Sequence, residues 1–127
     1  MKFAKTIVYV EDAKASVEFF EQAFGFKGTY HDQGYAEVET GGETKIAFAN
    51  YGVGQVHLPE KYQTGGSERV NVELSLVSED VEGDFRRAVE AGAEPLQEPE
   101  KKPWGQISSF LRLPDGTFID LASPVAY

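Results

Sequence analysis

The chain has 127 residues, and 12 lysines and arginines against 21 aspartates and glutamates leave a formal net charge of −9 at pH 7. That is one domain's length, able to bury roughly two-thirds of its unfolded surface, and the lack of cysteine excludes a disulfide scaffold, a zinc ribbon and a thiol nucleophile. The acidic balance excludes a basic footprint for nucleic acid or anionic membrane, and no apolar run approaches the ~20 residues of a membrane span.

Met1 to Lys5 leads straight into an alternating strand pattern that ends at Glu11 and Asp12, unlike a signal peptide, so a cytoplasmic location is expected. Asp12 is placed to cap a helix whose apolar stripe is Ala13, Val17, Phe20 and Phe24, closed by Gly25. Three strands follow, over 26–32, 35–40 and 43–51, with turns at Asp32-Gln33-Gly34 and Gly41-Gly42. Residues 52–68, with Gly52, Gly54, Pro59, Gly65 and Gly66, read as a linker too long for a tight turn. A strand at 70–77 precedes a second helix, capped by Asp80, carrying Val81, Phe85 and Ala88 on its apolar face and stopping at Gly92. Strands at 93–98, 106–113 and 117–122 close the chain, the last two joined by Pro114-Asp115-Gly116.

The two halves repeat. Lys5-Thr6-Ile7-Val8-Tyr9-Val10-Glu11-Asp12 resembles Glu73-Leu74-Ser75-Leu76-Val77-Ser78-Glu79-Asp80 at an offset of 68, and Ile46-Ala47-Phe48 matches Ile119-Asp120-Leu121 at an offset of 73. The unit is β-α-β-β-β written twice in a single α+β domain, with module one at 3–51, the linker at 52–68 and module two at 69–124.

Such a pair, ending in Pro103-Trp104-Gly105, Phe110-Leu111-Arg112-Leu113, Pro114-Asp115-Gly116 and Thr117-Phe118-Ile119-Asp120-Leu121, resembles the vicinal oxygen chelate superfamily of glyoxalase I, extradiol dioxygenases and bleomycin-resistance proteins. The family's turn is usually Asp-Pro-Asp-Gly, and Leu113 stands at its first Asp. The resemblance implies two modules forming an incomplete barrel around a cavity, often built from modules of two chains, hence a homodimer.

Alternation along strands puts Val72, Leu74, Leu76, Ile119, Leu121, Ile46 and Phe48 under the helices. The opposite faces then carry Lys5, Glu73, Ser75 and Asp120 as polar groups, with Ile7, Tyr9, Ala47 and Phe118 beside them. These are the candidate ligand-binding residues, with Trp104 and Phe110 as rings to stack on a planar guest, and Tyr30, Tyr35 and Tyr51 as further candidates for an aromatic wall. Glu37 and Glu39 share one face of their strand, as general bases or as solvated edge residues.

Metal-dependent members of the family place His or Glu at positions that here are Lys5, Ala47, Glu73 and Asp120. Lysine, while protonated, and alanine supply no ligand, so no metal or other cofactor is expected, and Lys5 is expected to pair with Glu73 or Asp120. The weaker alternatives are one divalent ion on Glu73 and Asp120 with His31, or an unusual site recruiting His31 with Glu37 or Glu39, or His57 from the linker. The favoured reading is a metal-independent small-molecule-binding protein of the bleomycin-resistance type, sequestering a planar or cationic compound such as an antibiotic, without nucleic-acid or membrane partners. The alternative is a metal-dependent lyase, isomerase or dioxygenase resembling glyoxalase I, with Glu73 and Asp120 as candidate catalytic residues; whether any reaction is catalysed stays open.

Overall fold

The structure is a computed structural model and describes residues 3–31, 34–57 and 72–124, with backbone alone at 56–57. Strand β1 (Lys5–Val10) leads into helix α1 (Ala13–Phe24), then β2 (Lys27–His31), β3 (Tyr35–Glu39) and β4 (Lys45–Asn50). A short helix α2 (Tyr51–His57) follows, and β5 (Glu73–Val77), α3 (Val81–Ala91), β6 (Glu94–Lys101), β7 (Ile107–Arg112) and β8 (Phe118–Ala122) form the second module. Each module is a four-stranded sheet, ordered β1-β4-β3-β2 and β5-β8-β7-β6, with β1 parallel to β4 and β5 parallel to β8. The match between the two orders is the repeat read from the sequence.

Both helix starts follow from their caps. The Asp12 carboxylate accepts from the Ala15 amide at 3.2 Å and Asp80 from the Gly83 amide at 3.1 Å, each worth about 1 kcal/mol. Gly25, at φ 73°, ends α1 in the left-handed region and donates its amide to Glu21. Inside, Phe20 is fully buried among Phe24, Phe26 and Phe48, while Val8, Val10, Val38, Leu111, Ile119 and Leu121 fill the same core. The alternation predicted for β1, β4, β5 and β8 therefore holds.

Two expectations need correction. The start of the supposed linker is helix α2, which packs on β1 and β4 with Gly54 buried; two glycines in seven residues hide a helix held by packing rather than by propensity. The rest of the linker, 58–68, lies outside the described residues. Strand β6 also runs on to Lys101, past the expected end at 98, despite Pro95 and Pro99, because it is an edge strand with register shifts that spare prolines a ladder bond.

The modules join through their helices. Helix α1 packs on α3, the Arg87 guanidinium donates to the Gln22 carbonyl at 2.9 Å, and Ser16 donates to Asp115 at 2.6 Å across the seam. Helices α1 and α3 also each cover one face of their own sheet, so they lie between the sheets and the opposite faces turn outward. No strand of one described sheet bonds to the other, which leaves β1 and β5 as edges. Among the described residues the two sheets of one chain therefore enclose no closed barrel, and no described element lies over the faces that would line it.

Candidate functional site

Register fixes what each outer face displays. In module one, Ile7, Ala47, Glu37 and Thr29 form one row, flanked by Tyr9, Ala49, Tyr35 and His31 on one side and by Lys5, Lys45, Glu39 and Lys27 on the other. Lys5 reaches across β4: its ammonium donates to the Tyr35 hydroxyl at 2.5 Å and to Glu37 Oε2 at 3.2 Å, and lies 5.0 Å from the Tyr35 ring centre. The Tyr35 hydroxyl in turn donates to the same carboxylate oxygen at 2.8 Å, while His31 Nε2 and Lys45 Nζ approach Glu37 Oε1 at 3.4 and 3.8 Å. Ala47 is fully buried although it sits on this outer face, between the strands that carry Lys5 and Glu37. A methyl group there leaves the bridge room to cross.

The charges follow from that geometry. Glu37, whose side chain is only 12% exposed, is held down to about 2, mainly by the Tyr35 hydroxyl and then by Lys5 and His31, with burial opposing. The Lys5 ammonium is held above the usual lysine value by Tyr35 and then Glu37. Burial, more than any neighbour, raises the Tyr35 hydroxyl. The ammonium is thus a fixed, internally neutralised charge rather than a proton donor poised near neutral pH.

In module two the outer rows are Glu73, Phe118, Arg112 and Glu94; Ser75, Asp120, Phe110 and Gln97; and Val77, Ala122, Ser108 and Glu100. Ser75 donates to Asp120 at 3.0 Å, and the Arg112 guanidinium stands 5.5 Å from the Phe118 ring centre. Val77 is 73% exposed and Ile7 43%, apolar side chains on edge strands with nothing of the described chain over them.

The structure thus brings Lys5, Ile7, Tyr9 and Ala47 onto one face and Glu73, Ser75, Phe110, Phe118 and Asp120 onto the other. The pairing expected between Lys5 and Glu73 or Asp120 is not made within the chain, because the modules meet through their helices and Glu37 is nearer. Trp104 stands in the turn between β6 and β7, 61% exposed, its indole donating to Gln106 at 2.9 Å. Tyr30 points to the helix side of its sheet and donates to Glu21 of α1, so it leaves the proposed aromatic wall. Tyr51 lines a crevice between the modules, away from the outer faces, and the His57 side chain lies outside the described residues. The residue that strand alternation alone did not reveal is Glu37 as the partner of Lys5; the signal was the small residue at 47 flanked by strands carrying opposite charges.

A family-type metal would need donors at Lys5, Ala47, Glu73 and Asp120. A protonated lysine already bound to Glu37 and a methyl group offer none, so this donor set does not fit a four-ligand site of histidines and carboxylates.

Solved structures share this fold. A glyoxalase/bleomycin resistance protein/dioxygenase family enzyme from Burkholderia phytofirmans PsJN aligns with a TM-score of 0.79 at 19% identity, covering 97% of this chain and 98% of the other. TioX from Micromonospora sp. ML1 aligns at 0.74 and 20% identity, again covering 97% and 98%. A protein of unknown function from Agrobacterium tumefaciens str. C58 aligns at 0.76 and 22%, covering 98% and 94%. No curated protein matches the sequence. The model of the Glyoxalase/Bleomycin resistance protein/Dioxygenase superfamily matches residues 2–121, and with the paired βαβββ modules this establishes that the chain belongs to that superfamily.

Proposed function

We propose that this chain is a metal-independent small-molecule-binding protein, working as a cytoplasmic homodimer that sequesters a planar or cationic compound such as an antibiotic. The observation that carries this reading is the bridge from Lys5 over Ala47 to Tyr35 and Glu37, which puts a neutralised ammonium and a methyl group where the family's metal-dependent members place ligands.

The sheet faces that no described residue covers support the dimer. With the helices between the sheets, the outer face of one module gains a second wall when it meets that of a second copy. Module one's face offers Lys5, Lys27, Lys45 and His31 beside Glu37 and Glu39, whereas module two's offers Glu73, Glu94, Glu100 and Asp120 beside Arg112. These balances are complementary, so module one of one copy is paired with module two of the other. The guest would lie between Tyr35 and Ile7 on one wall and Phe118, Phe110 and Asp120 on the other, stacking on rings and meeting Asp120 with any positive charge.

The test is a thermal-shift screen of planar and cationic compounds in the presence of EDTA. Saturable stabilisation that persists in EDTA and weakens in Asp120→Asn supports the reading. Stabilisation that appears only when a divalent metal is added refutes it.

A further inference from the structure

We propose a second binding site, away from the sheet faces, that takes a small organic cation with an apolar body. It is the crevice between the modules, a cavity of about 530 Å³ bounded by the start of α1, the first residue of α2 and the turn between β7 and β8. That volume is within the range of small-molecule pockets. Its walls are apolar and aromatic, with Phe19, Tyr51, Leu113 and Pro114, and its charged lining residues are Glu11, Asp12 and Asp115.

The charge balance selects the ligand. No lysine, arginine or histidine is among the described lining residues, so Glu11, Asp12 and Asp115 line the cavity with no described lining residue of opposite charge. The α1 N-terminus adds only about half a positive charge, which the carboxylates exceed several-fold. Asp12 and Asp115 are already held in place, the first by the Ala15 amide at 3.2 Å and the second by Ser16 at 2.6 Å and the Thr117 amide at 2.9 Å. Each carboxylate keeps acceptor capacity beyond those bonds. The oxygens of Asp12 and Asp115 are therefore held in position before a guest arrives, and Phe19 and Tyr51 line the same cavity with aromatic rings, the kind of group on which an ammonium packs. An anion would meet repulsion, and a neutral apolar molecule would gain nothing from the carboxylates. Because this crevice shares no residue with the outer faces, its occupancy is independent of the function proposed above.

The experiment is an amide-resolved NMR titration of the full chain with phenyltrimethylammonium, with benzyl alcohol as the neutral control. Saturable shifts at residues 11–19, 51 and 113–115, with weaker binding of the alcohol, are expected. Glu11→Gln, at an exposed side chain outside the core, should weaken the cation's Kd roughly three- to fivefold, and Tyr51→Leu should weaken it independently of charge. Equal affinity for the alcohol, or an unchanged Kd in both variants, would overturn the proposal. Shifts confined to Lys5, Tyr35, Phe118 and Asp120 would also overturn it while supporting the sheet-face site.

Discussion

Replacing Glu37 by glutamine keeps the shape of the bridge on module one and removes its negative charge. In the folded chain this carboxylate titrates near 2 instead of the ordinary 4.5, through Tyr35 first and then Lys5 and His31. A difference of that size corresponds to at most about 3 kcal/mol of linked stability. Lys5, at 37% side-chain exposure, is partly screened by water, so the working figure is about 1–2 kcal/mol. The sign is fixed by the depressed value: the stabilisation is fully present above pH 4.5 and is lost as pH falls towards 2. Urea unfolding of the native chain and Glu37→Gln at pH 7 and pH 3 reads this directly. The native chain should be more stable by about 1–2 kcal/mol at pH 7, and the gap should shrink by more than half at pH 3. A gap that is the same at both values would mean that the charge of Glu37 is not engaged, and the account of the Lys5 bridge would fail.

Ala47→Leu places a larger side chain under that bridge and should cost about 1–3 kcal/mol in chemical denaturation, with Lys5 released from Glu37; an unchanged midpoint would show that the bridge does not pass over residue 47. Phe20→Ala empties the centre of the aromatic core and should cost about 3–5 kcal/mol by the same assay. Val77→Asp puts a charge on the exposed edge strand of module two, and light scattering should show the native chain at twice its 14.0 kDa mass and the variant shifted towards one copy; a native chain that runs as a monomer would end the paired-face proposal.

Much of the fold is legible because its determinants are local. Asp12 and Asp80 announce helix starts, Gly25 and Gly92 announce helix ends, and the alternation of Leu74, Leu76, Ile119 and Leu121 gives the buried face without any knowledge of the other module. What escaped depends on how elements dock. Strand alternation places Lys5 on an outer face, but its partner is set by the strand order β1-β4-β3, which brings Glu37 within reach across Ala47. The pairing with Glu73 or Asp120 would have required the two faces to meet within one chain, and the packing of α1 on α3 prevents that. Tyr30 was misplaced because β2 is largely exposed on both sides and carries no apolar alternation to fix its phase. Helix α2 has Gly52 and Gly54 in its interior, and its packing on β1 and β4 overrides their low propensity.

The most direct test of the central claim is the metal content of the purified full chain after incubation with Ni²⁺, Zn²⁺, Mn²⁺ and Fe²⁺ and exhaustive dialysis, measured beside Glu73→Ala. The account predicts no retained ion in either protein, with guest binding unaffected by EDTA. One ion retained per chain, and lost in Glu73→Ala, would contradict it and place the carboxylates of module two in a metal centre.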